Sequence, residues 1–337
     1  MTDHQTIPEG LWASFSAAAD ANSCLTYADY SRIALYDKTY GYYRQSRLRV
    51  GKESGSDFYT SVSVGEAFPR LLAAAAAKLV APAEPGELTL AEMGPEPDQA
   101  MFARVETPFT ETRAFPLGTS LKLDSPTVLV ANEILDAQPF HRLVYQSGIW
   151  REVGVKVMDG SLSEVLLPEL SEPVKTHLGN ALPASISEGW RLDIALDAET
   201  MLADWLAHPL VQGVILIDYG KHWNELIDAT PQGTARAYRL HQQSNDLLAH
   251  PGDQDLTTHV CWDRIEAVLH NSGFTPQRLE RQESFFVKHA WEAVEALSAE
   301  ADSGQMDLRR QLMSLLHPGG FGAKFQVLTA TRTGSLA

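Results

Sequence analysis

The 337-residue sequence predicts an α/β protein whose mostly parallel sheet is flanked by helices on both faces. Three short apolar runs, "ELTLAEMG", "PTVLVANE" and "GVILIDYG", predict strands that each stop at a carboxylate or close to one. The runs are continuous rather than alternating, which is typical of parallel strands that are covered on both faces. Because the carboxyl ends of parallel strands meet at one edge of a sheet, this pattern predicts a ligand site at that edge.

The N-terminal part of the chain reads as helical segments joined by loops. Residues 27–43 have apolar residues at helical spacing up to Leu35, and a tyrosine-dense turn follows. Residues 51–61 predict an irregular loop, and the alanine run after it predicts a helix through Val80. We therefore expect a helical segment and a loop, over residues 1–86, before the first part of the sheet core at residues 87–139.

The second half of the chain predicts an insertion and then the rest of the core. Alternating segments over residues 140–209 indicate an antiparallel accessory region. Residues 210–337 would complete the core, with a helix over about residues 262–270. Two further strands are predicted there, "SFFVKHA" and "AKFQVLTATR".

Composition and charge narrow the possible partners. The chain has 27 lysines and arginines against 43 aspartates and glutamates, which gives a net charge of −16. This charge repels nucleic-acid phosphates and anionic lipids, so we expect neither a nucleic acid nor a membrane as partner. No basic segment precedes an apolar run, and no apolar stretch of about 18 residues occurs, which predicts a cytoplasmic protein.

Two cysteines and 11 histidines carry no metal or disulfide pattern. Cys24 and Cys261 lie far apart and outside any C-x-x-C arrangement, which favours two reduced thiols. The histidines lack H-E-x-x-H or similar spacing, so no metal site is predicted.

Eight short blocks occur in an order that resembles one protein family. They are "ALYDKTYGYY" (34–43), "GSDFYTS" (55–61), "AEMGP" (91–95), "ANEILDAQP" (131–139), "LIDYG" (216–220), "GTARAYRLHQ" (233–242), "DLTTHV" (255–260) and "HPGGFGAKFQVL" (317–328). On these blocks the chain is identified as a member of the MidA-like family of class I methyltransferases. This family includes a mitochondrial protein-arginine methyltransferase needed to assemble respiratory complex I. The resemblance implies a Rossmann-like sheet, S-adenosyl-L-methionine (SAM) as cofactor, and a protein side chain, arginine, as methyl acceptor.

The predicted edge of the sheet suits this cofactor physically. SAM carries a sulfonium and an ammonium against one carboxylate, and therefore has a net positive charge. Carboxylates at strand ends and nearby aromatic faces pair with such a ligand by charge and by cation–π contact. The acidic turn "EMGPEPD" would repel the phosphates of NAD or ATP, whose loops use backbone amides and glycine. A dinucleotide site is therefore the weaker interpretation.

The donor side of the site is implied by three of the blocks. Its residues would be Glu92, Gly94, Pro95, Tyr59, Thr60, Ser61 and Asn132. Glu92 and Gly94 would lie beside the methionine end of the cofactor, where Gly94 lets the backbone pass close. Structural alternatives stay open: Glu92 could cap the next helix or be a solvated acid, and "DFYTS" could be an ordinary surface loop.

The acceptor side is implied by the blocks around Glu133 and downstream. Asn132 and Glu133 would be the catalytic residues, and substrate would be bound by Glu133, Asp136, Arg236, Tyr238 and His259. Methyl transfer needs no covalent intermediate, only a nucleophile held about 3 to 3.5 Å from the methyl carbon. Glu133 would grip a guanidinium in a bidentate fork.

Structural roles remain open for Asn132 and His259. Asn132 could cap a helix that starts at Glu133, with Asp136 in its first turns. His259 could orient a neighbour or take a proton, or could be a structural histidine.

Two features depart from the family pattern. Glu96, Pro97 and Asp98 stand where family members have further glycines, and they favour a helix start over a glycine cradle. Residues 92 and 132 are only 40 positions apart, which is too few for a full half of a doubly wound sheet. We therefore expect at least one helix, and also a strand, to be missing, and the segment "AFPLGTSLKLD" (114–124) leaves room for one short strand at most. The acid that binds the ribose of the donor in the family is not assignable, and candidates by proximity are Glu106, Glu111 and Asp124.

Two hypotheses follow from the sequence. The first is a SAM-dependent methyltransferase that acts on a protein side chain. The second is a non-catalytic protein with the same fold, a pseudoenzyme that acts as an interaction or assembly factor. Retained acceptor-side blocks favour the enzyme, and the altered donor turn favours the alternative. Either one has a protein as substrate or partner.

Overall fold

The computed structural model describes residues 7–45, 61–95, 99–317 and 319–334. The helices in these ranges are α1 (Glu9–Ala18), α2 (Tyr27–Tyr36), α3 (Ala67–Leu79), α4 (Glu172–Leu178), α5 (Leu196–Leu206), α6 (Trp223–Ala229), α7 (Trp262–Asn271), α8 (Gln282–His289), α9 (Trp291–Asp302) and α10 (Met306–Leu316). The strands are β1 (Cys24–Thr26), β2 (Thr89–Met93), β3 (Glu111–Phe115), β4 (Thr127–Asn132), β5 (His141–Gln146), β6 (Ile149–Met158), β7 (Ser161–Leu166), β8 (Arg191–Ile194), β9 (Val211–Asp218), β10 (Gly220–Lys221), β11 (Arg236–Arg239), β12 (Gln242–Ser244), β13 (Asp255–Thr257), β14 (Val260–Cys261), β15 (Phe274–Pro276), β16 (Glu280–Arg281) and β17 (Gln326–Arg332).

The chain folds as two compact units. Within the described ranges, the accessory unit consists of residues 7–45, 135–200 and 220–263. The sheet unit consists of residues 61–134, 201–219 and 264–334. The four segments that the sequence predicts along the chain, with boundaries at residues 86, 139 and 209, stay predictions.

The sheet unit contains the predicted parallel sheet. Its strand order is β15-β17-β9-β4-β2-β3, with β16 on β17. The strands β3, β2, β4 and β9 are parallel to their neighbours, and β17 joins β9 antiparallel. The three strands predicted from apolar runs are therefore adjacent, and their carboxyl ends share one edge. The predicted α/β fold is confirmed.

Burial explains why these strands are continuously apolar. All five residues of β2 are buried, as are the first five of β4. One face carries Leu90, Val128 and Val130, which share a core with helices α3, α8, α9 and α10. Residues on both faces are excluded from water, so alternation with polar residues would leave polar groups buried.

The span between β2 and β4 is short, as the residue count predicts. Among the described residues of this span, one strand, β3, lies parallel to β2, and a 3-10 helix over Met101–Arg104 is the helical element. One short strand is present, as predicted, but it lies at Glu111–Phe115 and overlaps the segment predicted to hold it, residues 114–124, only at its last two residues. The predicted strand "SFFVKHA" is wrong, because residues 284–289 belong to helix α8 and Ala290 is its C-cap.

The accessory unit contains the predicted antiparallel region. A five-stranded sheet has the order β1-β6-β5-β8, with β7 on β6, and all its pairs are antiparallel. Helices α1 and α2 pack together through Phe15 and Tyr30, whose ring centroids lie 5.4 Å apart. A smaller sheet has the order β12-β11-β13. Within the described part of the chain, no helix is long and apolar enough to cross a membrane.

Candidate functional site

The carboxyl end of β4 brings three predicted site residues together. Glu133 follows the last strand residue, Asn132, and its side-chain Oε1 accepts a hydrogen bond from Asn132 Nδ2 at 3.1 Å. The same oxygen accepts from the backbone N–H of Ser61 at 3.2 Å. A carboxylate that holds two donors is fixed in orientation, so Ser61, Asn132 and Glu133 form a positioned cluster at the edge where the ligand was predicted.

The backbone at Glu133 excludes the predicted helix start. Its φ of 51° lies in the left-handed region, and its N–H donates to the carbonyl of Ile217 in β9 at 2.8 Å. Residues 133–139 form bends and a turn rather than a helix. The alternative in which Asn132 caps a helix is therefore wrong, since the strand ends in a left-handed residue that turns the chain.

Two residues that the sequence analysis did not assign also lie in this part of the sheet unit. Gln282, at the start of α8, is fully buried and accepts from Ser61 Oγ at 3.4 Å through Oε1. Asp218, the last residue of β9, is fully buried, and its Oδ1 accepts from the N–H of Tyr219 at 2.8 Å. Asp218 ends a predicted strand in the block "LIDYG", which was the signal for it. Gln282 had no such signal, because the segment that follows it was predicted to be a strand rather than helix α8.

Glu92 points from β2 toward the chain that follows it. Its Oε2 accepts from the N–H of Met101 at 2.6 Å, and the residue is 4% exposed. Burial raises the pKa of Glu92 to about 7, although hydrogen bonds from the N–H groups of Met101 and Phe102 act in the opposite direction. The geometry is that of a cap on the 3-10 helix at residues 101–104, which is the structural alternative that the sequence left open; its donor-binding role stays a prediction.

Gly94 is required by the packing of the turn after β2. Its φ is +68°, and a Cβ added there would lie 2.1 Å from Ile134 Cδ1. Its N–H donates to the carbonyl of Phe115 at 2.8 Å, which extends the β2–β3 pairing. Pro95 is the last described residue of the turn. The predicted residues Tyr59, Thr60, Glu96, Pro97 and Asp98 lie outside the described residues.

The end of β3 is where the family pattern would place the ribose-binding acid. Phe115 is the last residue of this strand, and Pro116 and Leu117 follow. Two of the proximity candidates, Glu111 and Asp124, both pair with Arg113, each at 2.7 Å. The third, Glu106, is exposed.

Apart from Glu133, the predicted acceptor-side residues lie in the accessory unit, where the charge of Asp136 acts on Tyr238. Arg236 begins β11, and its Nη1 donates to the carbonyl of Ala235 at 2.6 Å. Tyr238 lies two residues on, and its hydroxyl donates to Gln243 Oε1 at 3.0 Å. Burial, and after it the charge of Asp136, raise the pKa of Tyr238. Asp136 is buried, and its backbone carbonyl accepts from the N–H of Thr258 at 2.8 Å.

Tyrosines of the N-terminal block surround the same carboxylates. The rings of Tyr36 and Tyr43 stack with centroids 5.4 Å apart, and Tyr43 donates to Asp255 Oδ1 at 2.9 Å. Burial first, and then the charge of Asp255, raise the pKa of both tyrosines well above its usual range. We call Tyr36, Tyr43, Asp136, Tyr238 and Asp255 the tyrosine–aspartate cluster. Its N-terminal tyrosines were quoted in the block at residues 34–43, but no site role was assigned to them.

His259 is a poor proton acceptor at neutral pH. Burial, together with the positive charges of Lys221 and Arg236, lowers the pKa of His259 to about 4. Its backbone N–H donates to Thr234 Oγ1 at 3.2 Å. The imidazole is therefore neutral at pH 7, and the predicted roles of His259, orienting a neighbour or taking a proton, stay predictions.

The carboxyl edge of the sheet fits the methionine end of SAM. The side-chain Oδ1 of Asn132 is buried, and no described residue donates a hydrogen bond to it. An ammonium group would satisfy this acceptor, and the carboxylates of Glu133 and Asp218 at the ends of adjacent strands attract positive charge. Elsewhere in the described ranges, no group of three metal-ligating side chains is placed to hold a metal ion.

Comparisons with known proteins identify the family. A family profile described as "Putative S-adenosyl-L-methionine-dependent methyltransferase" matches residues 69–279, more than half of the chain. The chain therefore belongs to this family of SAM-dependent methyltransferases, which confirms the enzyme class and the cofactor predicted from the sequence.

One curated relative and two solved structures are similar to the chain. The relative is the mitochondrial protein arginine methyltransferase NDUFAF7 homolog of Drosophila melanogaster, 29% identical over 160 residues. That match covers 44% of this chain and only 33% of the relative, so the chain matches about a third of the length of the curated protein.

Both structures are from Burkholderia thailandensis and confirm the fold. One protein, described as a "likely methyl transferase" and bound to S-adenosyl-homocysteine, is 21% identical, with a TM-score of 0.81. The other, an uncharacterized protein, is 19% identical, with a TM-score of 0.77. Each match covers 96% of this chain and 92% of the other.

Proposed function

We propose that this chain transfers a methyl group from SAM to a protein side chain, and that the acceptor is arginine. The observation that carries the proposal is the cluster of Ser61, Asn132 and Glu133 at the carboxyl end of β4. It presents an oriented carboxylate and an acceptor atom without a donor at the edge where class I methyltransferases act.

Two lines of support concern the donor. The similar Burkholderia protein binds S-adenosyl-homocysteine, the product of SAM after methyl transfer, and its fold extends over nearly all of this chain. Asn132 Oδ1 is suited to accept a hydrogen bond from the ammonium of the donor, and Asp218 adds a negative charge at the end of the adjacent strand. Both groups favour a cationic ligand over a phosphate.

The acceptor is supported by a relative and by the carboxylate of Glu133. Arginine is the substrate named for the fly relative. A carboxylate held in one orientation suits a planar guanidinium, with which it can form two parallel hydrogen bonds. The predicted protein partner is in this proposal the substrate. The cytoplasmic location stays a prediction.

The residues of the chain act by positioning and charge. SAM, when bound, supplies an electrophilic methyl group on a sulfonium. Glu133, held by Asn132 and Ser61, would hold the guanidinium so that one nitrogen lone pair faces that methyl group. The guanidinium loses one proton when the new N–C bond forms, and a carboxylate is a suitable acceptor for it. His259, with a pKa of about 4, is not required as the base.

The direct test is mass-spectrometric detection of methylarginine on arginine-containing peptides incubated with the protein and methyl-labelled SAM. We expect transfer to arginine and none to matched peptides with lysine. Glu133→Gln should reduce the rate at least 100-fold, because the neutral amide cannot pair with the guanidinium. Glu295→Gln, at an exposed position of α9, removes the same charge and should leave the rate unchanged.

Binding of S-adenosyl-homocysteine separates the possible failures. A Glu133→Gln variant that binds this product normally but transfers no methyl group would place the defect at the acceptor. Wild-type protein that binds the product and methylates nothing would favour the non-catalytic alternative, which the family match does not support. Full activity of Glu133→Gln would remove the central residue of the proposal.

A further inference from the structure

A cavity lies within the accessory unit, and no role has been assigned to it. Its volume is about 400 Å³, within the range of small-ligand sites. Helix α2 supplies Asp29 and Arg32, strand β5 supplies His141, and helix α5 supplies Asp197 and Glu199 to its lining. All of these residues belong to one unit, so the cavity is formed within it.

The floor of the cavity is a buried histidine held by a buried carboxylate. The His141 side chain is 5% exposed, and its Nδ1 lies 2.7 Å from Oε1 of Glu152, which is fully buried. Glu152 also accepts from the N–H of Ser171 at 2.5 Å and from its hydroxyl at 3.1 Å. Both carboxylate oxygens of Glu152 accept from Ser171, so this side chain is arranged as an acceptor toward His141 Nδ1 as well. The proton of a neutral His141 ring therefore lies on Nδ1.

This tautomer leaves Nε2 of His141 as a hydrogen-bond acceptor. Throughout the described residues no group pairs with Nε2, although the side chain is almost fully buried and lines the cavity. The cavity is the space from which a donor can reach this acceptor. The floor therefore calls for a ligand that donates hydrogen bonds.

The charged side chains that line the cavity determine which ligand charge it favours. Asp29, Asp197 and Glu199 contribute three carboxylates. Of the lysine and arginine side chains, Arg32 lines the cavity. It pairs with Asp29 Oδ1 at 2.6 Å and with Asp197 Oδ2 at 2.9 Å. With Glu152 behind the floor, negative charge exceeds positive charge, so a cation is attracted and an anion is repelled.

We propose that this cavity binds an organic cation that donates hydrogen bonds, namely a guanidinium or primary ammonium group. One N–H of the ligand would donate to His141 Nε2, and the others would face the carboxylates of Asp197 and Glu199. An organic cation is favoured over a metal ion because no three metal-ligating groups converge anywhere in the described chain. Binding at this cavity is independent of methyl transfer. The cation is either a basic side chain of another protein or a free amine.

The test is calorimetric titration of the full chain with agmatine and with a short peptide that contains one arginine. Asp197→Asn should weaken binding about tenfold, because a charge-assisted hydrogen bond is lost and Arg32 is partly released. His141→Asn should also weaken it about threefold to tenfold, since the amide can still donate to Glu152 but lacks the Nε2 acceptor. Asp228→Asn, an exposed position of α6, removes the same charge as Asp197→Asn and should have no effect.

A substitution that should strengthen binding makes the test sharper. Arg32→Gln removes the cation that the cavity already contains, so the affinity for agmatine should increase about tenfold. Tighter binding of the peptide than of agmatine would assign the source to a protein, and the reverse would assign it to a free amine. Absence of binding to wild-type protein at millimolar ligand would overturn the proposal, and so would equal losses in Asp197→Asn and Asp228→Asn.

Discussion

Two neighbouring strands of the sheet unit end in left-handed residues, and the two positions use this conformation differently. Gly94 follows β2 with a φ of +68°, where glycine is unstrained, whereas Glu133 follows β4 with a φ of 51°. A non-glycine residue in this region costs about 1 to 2 kcal/mol. At Glu133 the cost is offset by the hydrogen bond to Ile217 and by the two bonds that its carboxylate accepts. Such strain is typical of functional positions and agrees with the role proposed for Glu133.

Gly94→Ala should destabilise the protein by about 2 to 4 kcal/mol. The new Cβ would lie 2.1 Å from Ile134 Cδ1, which adds overpacking to the cost of a left-handed alanine. Denaturant unfolding would measure the loss. Gly86→Ala, whose Cβ would meet no atom within 4 Å, is the matched control and should change stability by less than about 0.5 kcal/mol. Ile134→Val in the Gly94→Ala background should recover part of the loss, because it removes Cδ1; no recovery would contradict the steric explanation.

Glu92 should make the protein lose stability as pH rises. Its pKa in the folded state is about 7, against 4.5 for the unconstrained side chain, because burial disfavours the charged form. Between these values the folded state binds the proton more tightly than the unfolded state, so the free energy of unfolding falls with rising pH. The shift corresponds to up to about 3 kcal/mol between pH 4.5 and 7.

Glu92→Gln isolates this effect. The variant lacks the titrating group but keeps an oxygen that can accept from the N–H of Met101. Denaturant unfolding at several pH values should show wild-type stability falling relative to the variant across the window from pH 4.5 to 7. Parallel curves for the two proteins would show that Glu92 has an ordinary pKa in the folded state.

At the scale of elements, apolar pattern identified the buried strands but not every helix. The strands β2, β4 and β9 were predictable because a strand buried on both faces has no polar alternation. Helix α8 was mistaken for a strand because "SFFVKHA" is short and rich in aromatic residues, which favour strands locally. Its tertiary packing decides otherwise, since Phe286 contacts Phe68 of α3 edge-on at 5.9 Å.

Substitutions in α8 test its conformation. Phe286→Ala should cost about 3 to 5 kcal/mol, because the side chain is fully buried against α3. Val287→Ala should be neutral or stabilise by a few tenths of a kcal/mol, since Val287 is 45% exposed and alanine favours a helix. Thermal unfolding measures both variants. A clear loss of stability in Val287→Ala would favour the strand that the sequence suggested.

The proximity of candidate site residues was predictable where they follow directly from a strand end. Ser61, Asn132 and Glu133 were all named from the sequence, and the structure brings them within hydrogen-bond distance. Gln282 was not, because it joins the cluster from α8, more than 200 positions away in sequence from Ser61. Asp136 and Tyr238 were named, but their link to Tyr43 through Asp255 depends on strand pairing that a single sequence does not encode locally.

At the scale of the whole molecule, the net charge of −16 and the family membership lead to one expectation about ligands. A cationic donor should stabilise the protein, and anionic nucleotides should not. This expectation can be measured, because a ligand that binds the folded state raises the free energy of unfolding by an amount set by the ligand concentration and its affinity.

SAM at 100 times its dissociation constant should raise the free energy of unfolding by about 2.7 kcal/mol. For a chain of this length that corresponds to a shift of the thermal midpoint by about 5 °C. ATP and NAD at the same concentration should give no shift, because their phosphates meet a net negative protein. Asn132→Ala removes the buried acceptor Oδ1, and a tenfold loss of affinity would halve the shift at the same ligand concentration. A full shift in Asn132→Ala would show that the donor is held elsewhere on the sheet edge. If the variant without ligand keeps the thermal midpoint of the wild type but the ligand-induced shift is reduced, the donor lies beside β4.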